Sequence, residues 1–559
     1  LAVLTLLILL IGTLAPDRSF MALAFERSGF YFVFVAFGVW LLTLLRGFDK
    51  TACLNFCRAH WPACLLTLAL TTALFLTSPP KFRILFDEAN LAAVSMDMYE
   101  RHGAAIPENG FFAGGAFRYL STTLDKRPLA FPFLTYVAHA LSGYRTGNGF
   151  VVNFLASIGA LLSLSLLLRR WLDPAAGALG QLILASFPLY ALCATSNGFE
   201  LLNLFFILLV FLFFDELLRE RSAVNADKCL LTLLVLAQCR YESLLFLVLA
   251  PLILLALPRD ERGRLSILTL FSPVLLLPVM WQQILFFRAE DHQLDAGGAL
   301  FGVGHFFTNA SRALEALCGA GVWGGFSAPV FCLALAGTVW SLRDGLKQGW
   351  LRLPPARYLL AAVFGGFGLV TVVQFGYHLG DLTAPITQRL GLALLPLLVA
   401  PAAYCLSRLG QRLGWPVRYF AASCLALLVF FWPQAGKNQA VGQLNAFRGH
   451  ERTLTYLAER YPGKDVLLIA ERAHPYLIHG YSAVNFHFAS ANFSALVGQM
   501  RTHAFQEALA VQVVPYGGGP LPPDFRLTDQ NGREVPLLTL RQEQLDPRKL
   551  LRVSRVLFE

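Results

Sequence analysis

Charge is what this 559-residue chain has little of. Asp, Glu, Lys and Arg make up 14% of it and hydrophobic residues 56%, whereas a soluble domain carries about 25% charged residues. That balance excludes an ordinary soluble protein. The 45 Lys and Arg exceed the 35 Asp and Glu, giving +10, yet no basic face or stripe gathers them, so nucleic acid is excluded as a partner. The ten cysteines offer no Cys/His set at zinc spacing, Cys53 and Cys57 included. They are scattered, many inside apolar runs (Cys193, Cys318, Cys332, Cys405, Cys424), and all ten are expected to be small buried apolar residues. No G-x-G-x-x-G follows a strand-like stretch, so no nucleotide site is assigned. Internal repeats and long low-complexity tracts are also missing.

What is present is a series of apolar runs, near 1–15, 29–45, 61–78, 148–168, 175–192, 200–217, 229–239, 243–258, 265–287, 321–341, 357–377, 389–407 and 418–433. They imply an integral membrane protein with about 13 transmembrane helices. The first, LAVLTLLILLIGTLA, reads as a helix rather than a signal-peptide core, because no small-residue cleavage site follows. If each run crosses once, six loops rich in Lys and Arg fall on one side. Among them are Arg46/Lys50/Arg58, Arg169/Arg170, Arg343/Lys347/Arg352/Arg357 and Arg408/Arg412/Arg418. The positive-inside rule makes that side the cytoplasm. Loop 80–147 and everything from 434 onward then lie outside. This parity requires KRPLAFPFLTYVAHALSGY (126–144) to be a re-entrant or interfacial helix. It also requires QCRYES (238–243) to break one long apolar stretch into two short helices meeting at Arg240.

After 434 the pattern changes. HERTLTYLAERY (450–461) has helical periodicity, and KDVLLIAE (464–471) and ALAVQVVPYGGG (508–519) read as strands ending in turns. The domain plan is therefore two N-terminal transmembrane helices (1–60), a membrane domain with outer loop 80–147 (61–433), and a small outer α/β domain (434–559).

Outer loop 80–147 is long for a connection, and such loops are usually functional. It runs from an acidic pair, Asp87-Glu88, through LAAVSMDMYERHG at helical spacing and a Gly/aromatic stretch (109–120), to Lys126-Arg127-Pro128. Acids in a first helical turn are stabilised by the macrodipole alone. A carboxylate at a membrane surface can also do chemistry.

The order of these features resembles the GT-C superfamily of membrane glycosyltransferases, in the branch of the protein O-mannosyltransferases and aminoarabinose transferases. There an Asp-Glu pair follows a transmembrane helix, then an A…M…G…P stretch (here Ala92/Ala93, Met98, Gly103, Pro107), then a basic-Pro-Pro helix. Leu129 stands where the second proline would be, and Glu200 in SNGFELLNLFF where the family more often has Asp. QCRYES matches the family's polar break, and GDLTAPITQRLGLALLPLLVAPAAY (380–404) its helix opening on arginine. The resemblance implies a GT-C-like α-helical membrane fold and transfer of a sugar from a polyprenyl-phosphate donor to an acceptor hydroxyl. Inversion is expected, at the outer, periplasmic face of a bacterial inner membrane. The acceptor could be lipid, glycan or protein.

Such a reaction needs cations for the departing phosphate and a carboxylate for the hydroxyl's proton. Ionisable groups at membrane depth usually mark function. The candidates are Asp87 as base with Glu88 beside it, and Lys126, Arg127, Glu200, Arg240, Arg389 and His378 around the donor. Asp87, Glu88 and Glu200 could hold Mg²⁺ or Mn²⁺ through oxygen ligands, but nearby cations could do the same work, so no metal ligand is assigned and no obligatory cofactor is expected. The competing readings are a transporter or flippase of a lipid-linked glycan, which would place acids at the bilayer midplane in repeated halves, and an inactive GT-C-like scaffold.

Overall fold

The computed structural model describes residues 2–46, 50–83, 86–286, 299–318, 327–349, 354–383, 387–414, 448–502, 504–515, 525–546 and 549–558. The run 418–433, with Cys424 and Arg418, lies outside the described residues, as does Arg352. Two compact units emerge, one of residues 1–81, 126–134 and 149–444, the other of 82–125, 135–148 and 445–559.

The first unit is helical. Among the described residues, 7 helices are long and apolar enough to cross a membrane, or up to 8 if a bent pair counts as one span. Several of the runs read from the sequence form shorter helices, such as Ala2–Leu14 and Ala223–Leu236, below the ~20 residues a span needs. The bent pair is Pro174–Ser186 with Pro188–Ala194, at 75°. Its corner is Phe187, extended at φ −70°, ψ 124°, because Pro188 brings no N–H and disfavours a helical residue before it.

Helix Glu200–Arg219 is buried along most of its length and packs against Ala223–Leu236. Ser222 caps the second helix by accepting from Asn225 N. The chain then breaks. Arg240 is extended at φ −146°, ψ 154°, and the path resumes as a 3-10 turn, Tyr241–Val248, before helix Leu249–Ala256. A similar 3-10 entry, Gln388–Leu394, precedes helix Leu395–Leu413. That helix approaches Ser327–Gln348 so closely that a Cβ on Gly337 would stand 1.9 Å from the Pro401 carbonyl oxygen. Only glycine fits there.

Cys193, Cys229, Cys239 and Cys405 are buried as expected, but Cys64 is half-buried and Cys318 and Cys332 are exposed.

The second unit is built on a seven-stranded sheet. Its strands are β1 (Ile106–Ala113), β2 (Ala116–Thr123), β3 (Val466–Ala470), β4 (Ser482–Asn485), β5 (Glu507–Pro515), β6 (Leu537–Asp546) and β7 (Lys549–Val556). The order is β2-β1-β4-β3-β5-β7-β6. The central β4-β3-β5 strands are parallel and the outer pairs antiparallel. Gly114 and Gly115, at φ +60° and +78°, form the two-residue turn of the β1–β2 hairpin, a turn that demands positive φ at both positions. The hairpin lies in the stretch assigned from sequence to the membrane domain's outer loop. Its strand β1 nevertheless pairs with β4 at Gly110↔Ala483, Asn485 N donates to Asn109 Oδ1 at 2.6 Å, and Phe111 packs on the core formed by Ile469, Val484 and Phe486. Helix Phe86–Arg101 belongs to this unit. Helix Ala130–Ser142, 13 residues long, is too short to span.

Candidate functional site

In the first unit one carboxylate gathers two guanidiniums. Glu200 Oε1 accepts from Arg240 Nη1 at 3.3 Å and from Arg389 Nη1 at 2.9 Å. Glu242 holds the other side of Arg240 by two parallel bonds, Nε to Oε2 at 3.0 Å and Nη2 to Oε1 at 3.1 Å. The Phe199 ring lies under the Arg240 guanidinium at 4.7 Å, where its π-face attracts the cation. Glu200 is 1% exposed and Arg240 5%. Charges this deep persist only when paired, and removing one partner of such a pair costs about 3–5 kcal/mol.

Local structure explains the convergence. Glu200 opens its helix, where the macrodipole favours an acid. The preceding turn is pinned by buried Asn153, whose Nδ2 donates to the carbonyls of Ser196 and Gly198 at 2.7 and 2.9 Å. Arg240 sits at the break between two short helices, and Arg389 at the 3-10 entry to the next. The three come from different segments, and each sits where a membrane helix starts or is interrupted. Together with Glu242, Asn203, Ser243 and Gln374 they line a pocket enclosing about 20 Å³.

Sequence reasoning named Glu200, Arg240 and Arg389, and the structure brings them together. Glu242, Asn153 and Gln374 were not among its site residues. Glu242 was visible inside QCRYES, and Gln374 as the one amide side chain of the apolar stretch LVTVVQF, a signal in a membrane segment. Arg127 is buried, and its carbonyl accepts from Gln282 Nε2 at 2.8 Å. Ala130 N, three residues on, donates to Gln238 O at 3.2 Å, tying this segment to the break that carries Arg240. Lys126 is exposed. His378 is half-buried, is not among the pocket's lining residues, and bonds through its backbone to Leu300 O at 3.0 Å. Burial holds its imidazole below the usual histidine range.

In the second unit the acidic pair divides. Glu88 is fully buried, and both its oxygens lie 3.3 Å from Arg83 N. The Arg83 side chain is buried too. Desolvation lowers its guanidinium below the usual arginine range, against the opposing charges of Glu88 and Glu451. Asp87 is half-buried in the same first turn. Its neighbour Phe86 lies under the Arg472 guanidinium at 4.3 Å and edge-on to His450 at 5.3 Å, so residues of the C-terminal segment fix where this helix starts.

The metal option fits poorly. Among the described residues no three His, Cys, Asp or Glu side chains converge on one point. Glu88 is turned to the Arg83 backbone and Glu200 to two guanidiniums, so no catalytic step is assigned to a metal ion.

No protein-family model matches the chain, and no curated protein matches its sequence. Solved structures do. ArnT from Cupriavidus metallidurans bound to undecaprenyl phosphate matches with TM-score 0.56 at 14% identity, over 89% of this chain and 98% of that one. The same ArnT in the apo state gives 0.44 at 14% identity over the same shares of 89% and 98%. The Archaeoglobus fulgidus oligosaccharyltransferase tethered with an acceptor peptide gives 0.43 at 12% identity, over 82% of this chain and 70% of that one. The two lower scores add nothing to the fold assignment. The chain is therefore a polytopic, α-helical membrane protein of the GT-C fold with a small α/β unit. Within that fold it is similar to ArnT along nearly the whole of both chains.

Proposed function

We propose that the protein is a membrane glycosyltransferase that moves a sugar from a polyprenyl-phosphate donor to an acceptor hydroxyl. The observation that carries this reading is the buried pair of guanidiniums, Arg240 and Arg389, joined on Glu200 beside a pocket at the breaks of membrane helices. An anion at membrane depth needs such partners, and a lipid phosphate is the anion that arrives there. The similar ArnT structure holds undecaprenyl phosphate, which supports a donor of this class.

In the reaction the acceptor oxygen attacks the anomeric carbon, and the bond from that carbon to the phosphate oxygen breaks with its electron pair on the phosphate. The configuration inverts. Negative charge grows on the phosphate, and Arg240 and Arg389 stabilise it in a water-poor site. Asp87 takes the hydroxyl's proton. Glu88, turned to Arg83 N, anchors the first turn of the helix that carries Asp87. Lys126 and Arg127 lie on the segment tied to the Arg240 break and add positive charge around the donor. His378 takes no part in this scheme. The chemistry faces the periplasmic side, opposite the loops rich in Lys and Arg.

The test is transfer from a purified polyprenyl-phosphate sugar by the full chain in detergent, with thin-layer analysis of the lipid. Sugar-dependent release of polyprenyl phosphate by the wild type, falling roughly 100-fold or more in Asp87→Asn, supports the reading. Equal release by wild type and Asp87→Asn, both eluting as folded protein, removes Asp87 as the base.

A further inference from the structure

Glu242 differs from the other members of the buried charge cluster. Its side chain is 26% exposed, against 1% for Glu200 and 9% for Arg389. It stands in the first turn of a 3-10 helix, just after the extended Arg240. Its grip on Arg240 is bidentate, the geometry by which a guanidinium also holds a phosphate.

The pocket encloses about 20 Å³. A water needs about 10–15 Å³, so a phosphate group cannot enter while Glu242 keeps its place. Gln374, on the pocket wall, points to what belongs there. Its Nε2 is buried and without a hydrogen-bond partner among the described residues. A buried N–H left unsatisfied is destabilising, and an anion in the pocket would satisfy it.

The charges agree. Glu200 and Glu242 balance Arg240 and Arg389. A sugar phosphodiester carries one negative charge, as does Glu242. Exchanging one for the other leaves the buried cluster neutral, and neither guanidinium loses its counter-charge.

Resting on the donor reading above, we propose that Glu242 is a resident stand-in for the donor's phosphate. The phosphate displaces it from the Arg240 fork and accepts a hydrogen bond from the Gln374 amide, while Glu242 turns towards the open mouth of the pocket. Glu242 therefore lowers donor affinity and Gln374 raises it. No bond is made or broken in this exchange. When Glu242 returns to Arg240 it competes with the spent lipid phosphate, which favours release.

The experiment measures binding of undecaprenyl phosphate to the full-length protein in detergent by tryptophan fluorescence, with neutral undecaprenol as control. Glu242→Gln and Glu242→Ala should bind the phosphate about tenfold more tightly, and Gln374→Leu about tenfold more weakly, the size of one hydrogen bond to a charged group. Undecaprenol binding should not change. Unchanged or weaker phosphate binding in both Glu242 variants, each eluting like the wild type, overturns the stand-in role. Unchanged binding in Gln374→Leu overturns the role of the amide. Arg389→Ala separates the donor site from the stand-in. If it loses binding while the Glu242 variants behave as wild type, the donor site stands and only the stand-in falls. If Arg389→Ala also binds normally, the donor site itself falls.

Discussion

Gly198 leaves the space that Glu200 occupies. A methyl group at Gly198 would stand 2.4 Å from Glu200 Oε2, well inside van der Waals contact. The Glu200 carboxylate cannot yield freely, because its other oxygen holds Arg240 and Arg389. Gly198→Ala should therefore tilt the carboxylate and loosen at least one of these bonds. The expected result is a lower melting temperature and a loss of lipid-phosphate binding, measured together on the purified protein. A variant with wild-type melting and binding would show that the turn adjusts without disturbing the cluster.

Arg389→Ala removes one of the two cations from a buried carboxylate. Donor binding should weaken by about 2–5 kcal/mol. Arg389→Lys should recover only part of it, since a point charge replaces a planar fork. Titration of undecaprenyl phosphate against both variants checks the ranking, and full recovery by lysine would mean that charge alone matters at this position.

Part of this site was legible in the sequence and part was not. Glu200, Arg240 and Arg389 interrupt apolar runs, and burying a charge in a membrane segment demands a reason that can be read without coordinates. Gln374 interrupts a run too, but a neutral amide is easily satisfied locally, so its significance emerges only from the pocket it lines. The membrane class followed from the long apolar runs, while helix lengths did not, because packed segments such as Ala223–Leu236 stop short of a full span. The β1–β2 hairpin was the least legible element. Its partner strand β4 lies more than three hundred residues away, at Gly110↔Ala483, and local periodicity carries no information about such a pairing. Strand β6, RQEQ at its centre, is polar because it is an edge of the sheet, which hides it from a search for apolar alternation.

Asp87 and Glu88 should separate in function. Glu88 is buried against Arg83 N, so Glu88→Gln keeps the shape and one acceptor oxygen, and should lower thermal stability more than turnover. Asp87→Asn should do the reverse, losing turnover with donor affinity nearly intact. Melting curves and donor titrations on both variants decide this. A large stability loss in Asp87→Asn would make Asp87 a helix-start residue only.

His139 makes the second unit sensitive to acid. Asn148 Nδ2 donates to its Nδ1 at 2.9 Å, and the same amide nitrogen also donates to the Gly143 carbonyl, which fixes its orientation. His139 Nδ1 is therefore an acceptor, and Nε2 carries the proton towards Ser95 Oγ at 3.2 Å. Burial holds the imidazole down at about 4. The unfolded chain takes up this proton near pH 6.5 and the folded one only near 4, so stability is complete above 6.5 and falls between 6.5 and 4. At pH 5 this group alone should remove about 2 kcal/mol. His139→Gln should lessen the drop in melting temperature between pH 7 and pH 5. An identical drop in the variant would assign the acid sensitivity to other groups, such as His450 or His479, which burial also holds at about 4.

The central claim is that Arg240 and Arg389 bind the phosphate of a polyprenyl-linked sugar. Mass spectrometry of lipid retained by the protein after purification from its native membrane tests it most directly, comparing the wild type with Arg240→Ala and Arg389→Ala. The wild type should carry a polyprenyl phosphate, bare or with one sugar attached, and both variants should have lost it while keeping their ordinary phospholipids. A wild type without polyprenyl phosphate, or variants that retain it at the same level, would contradict the account.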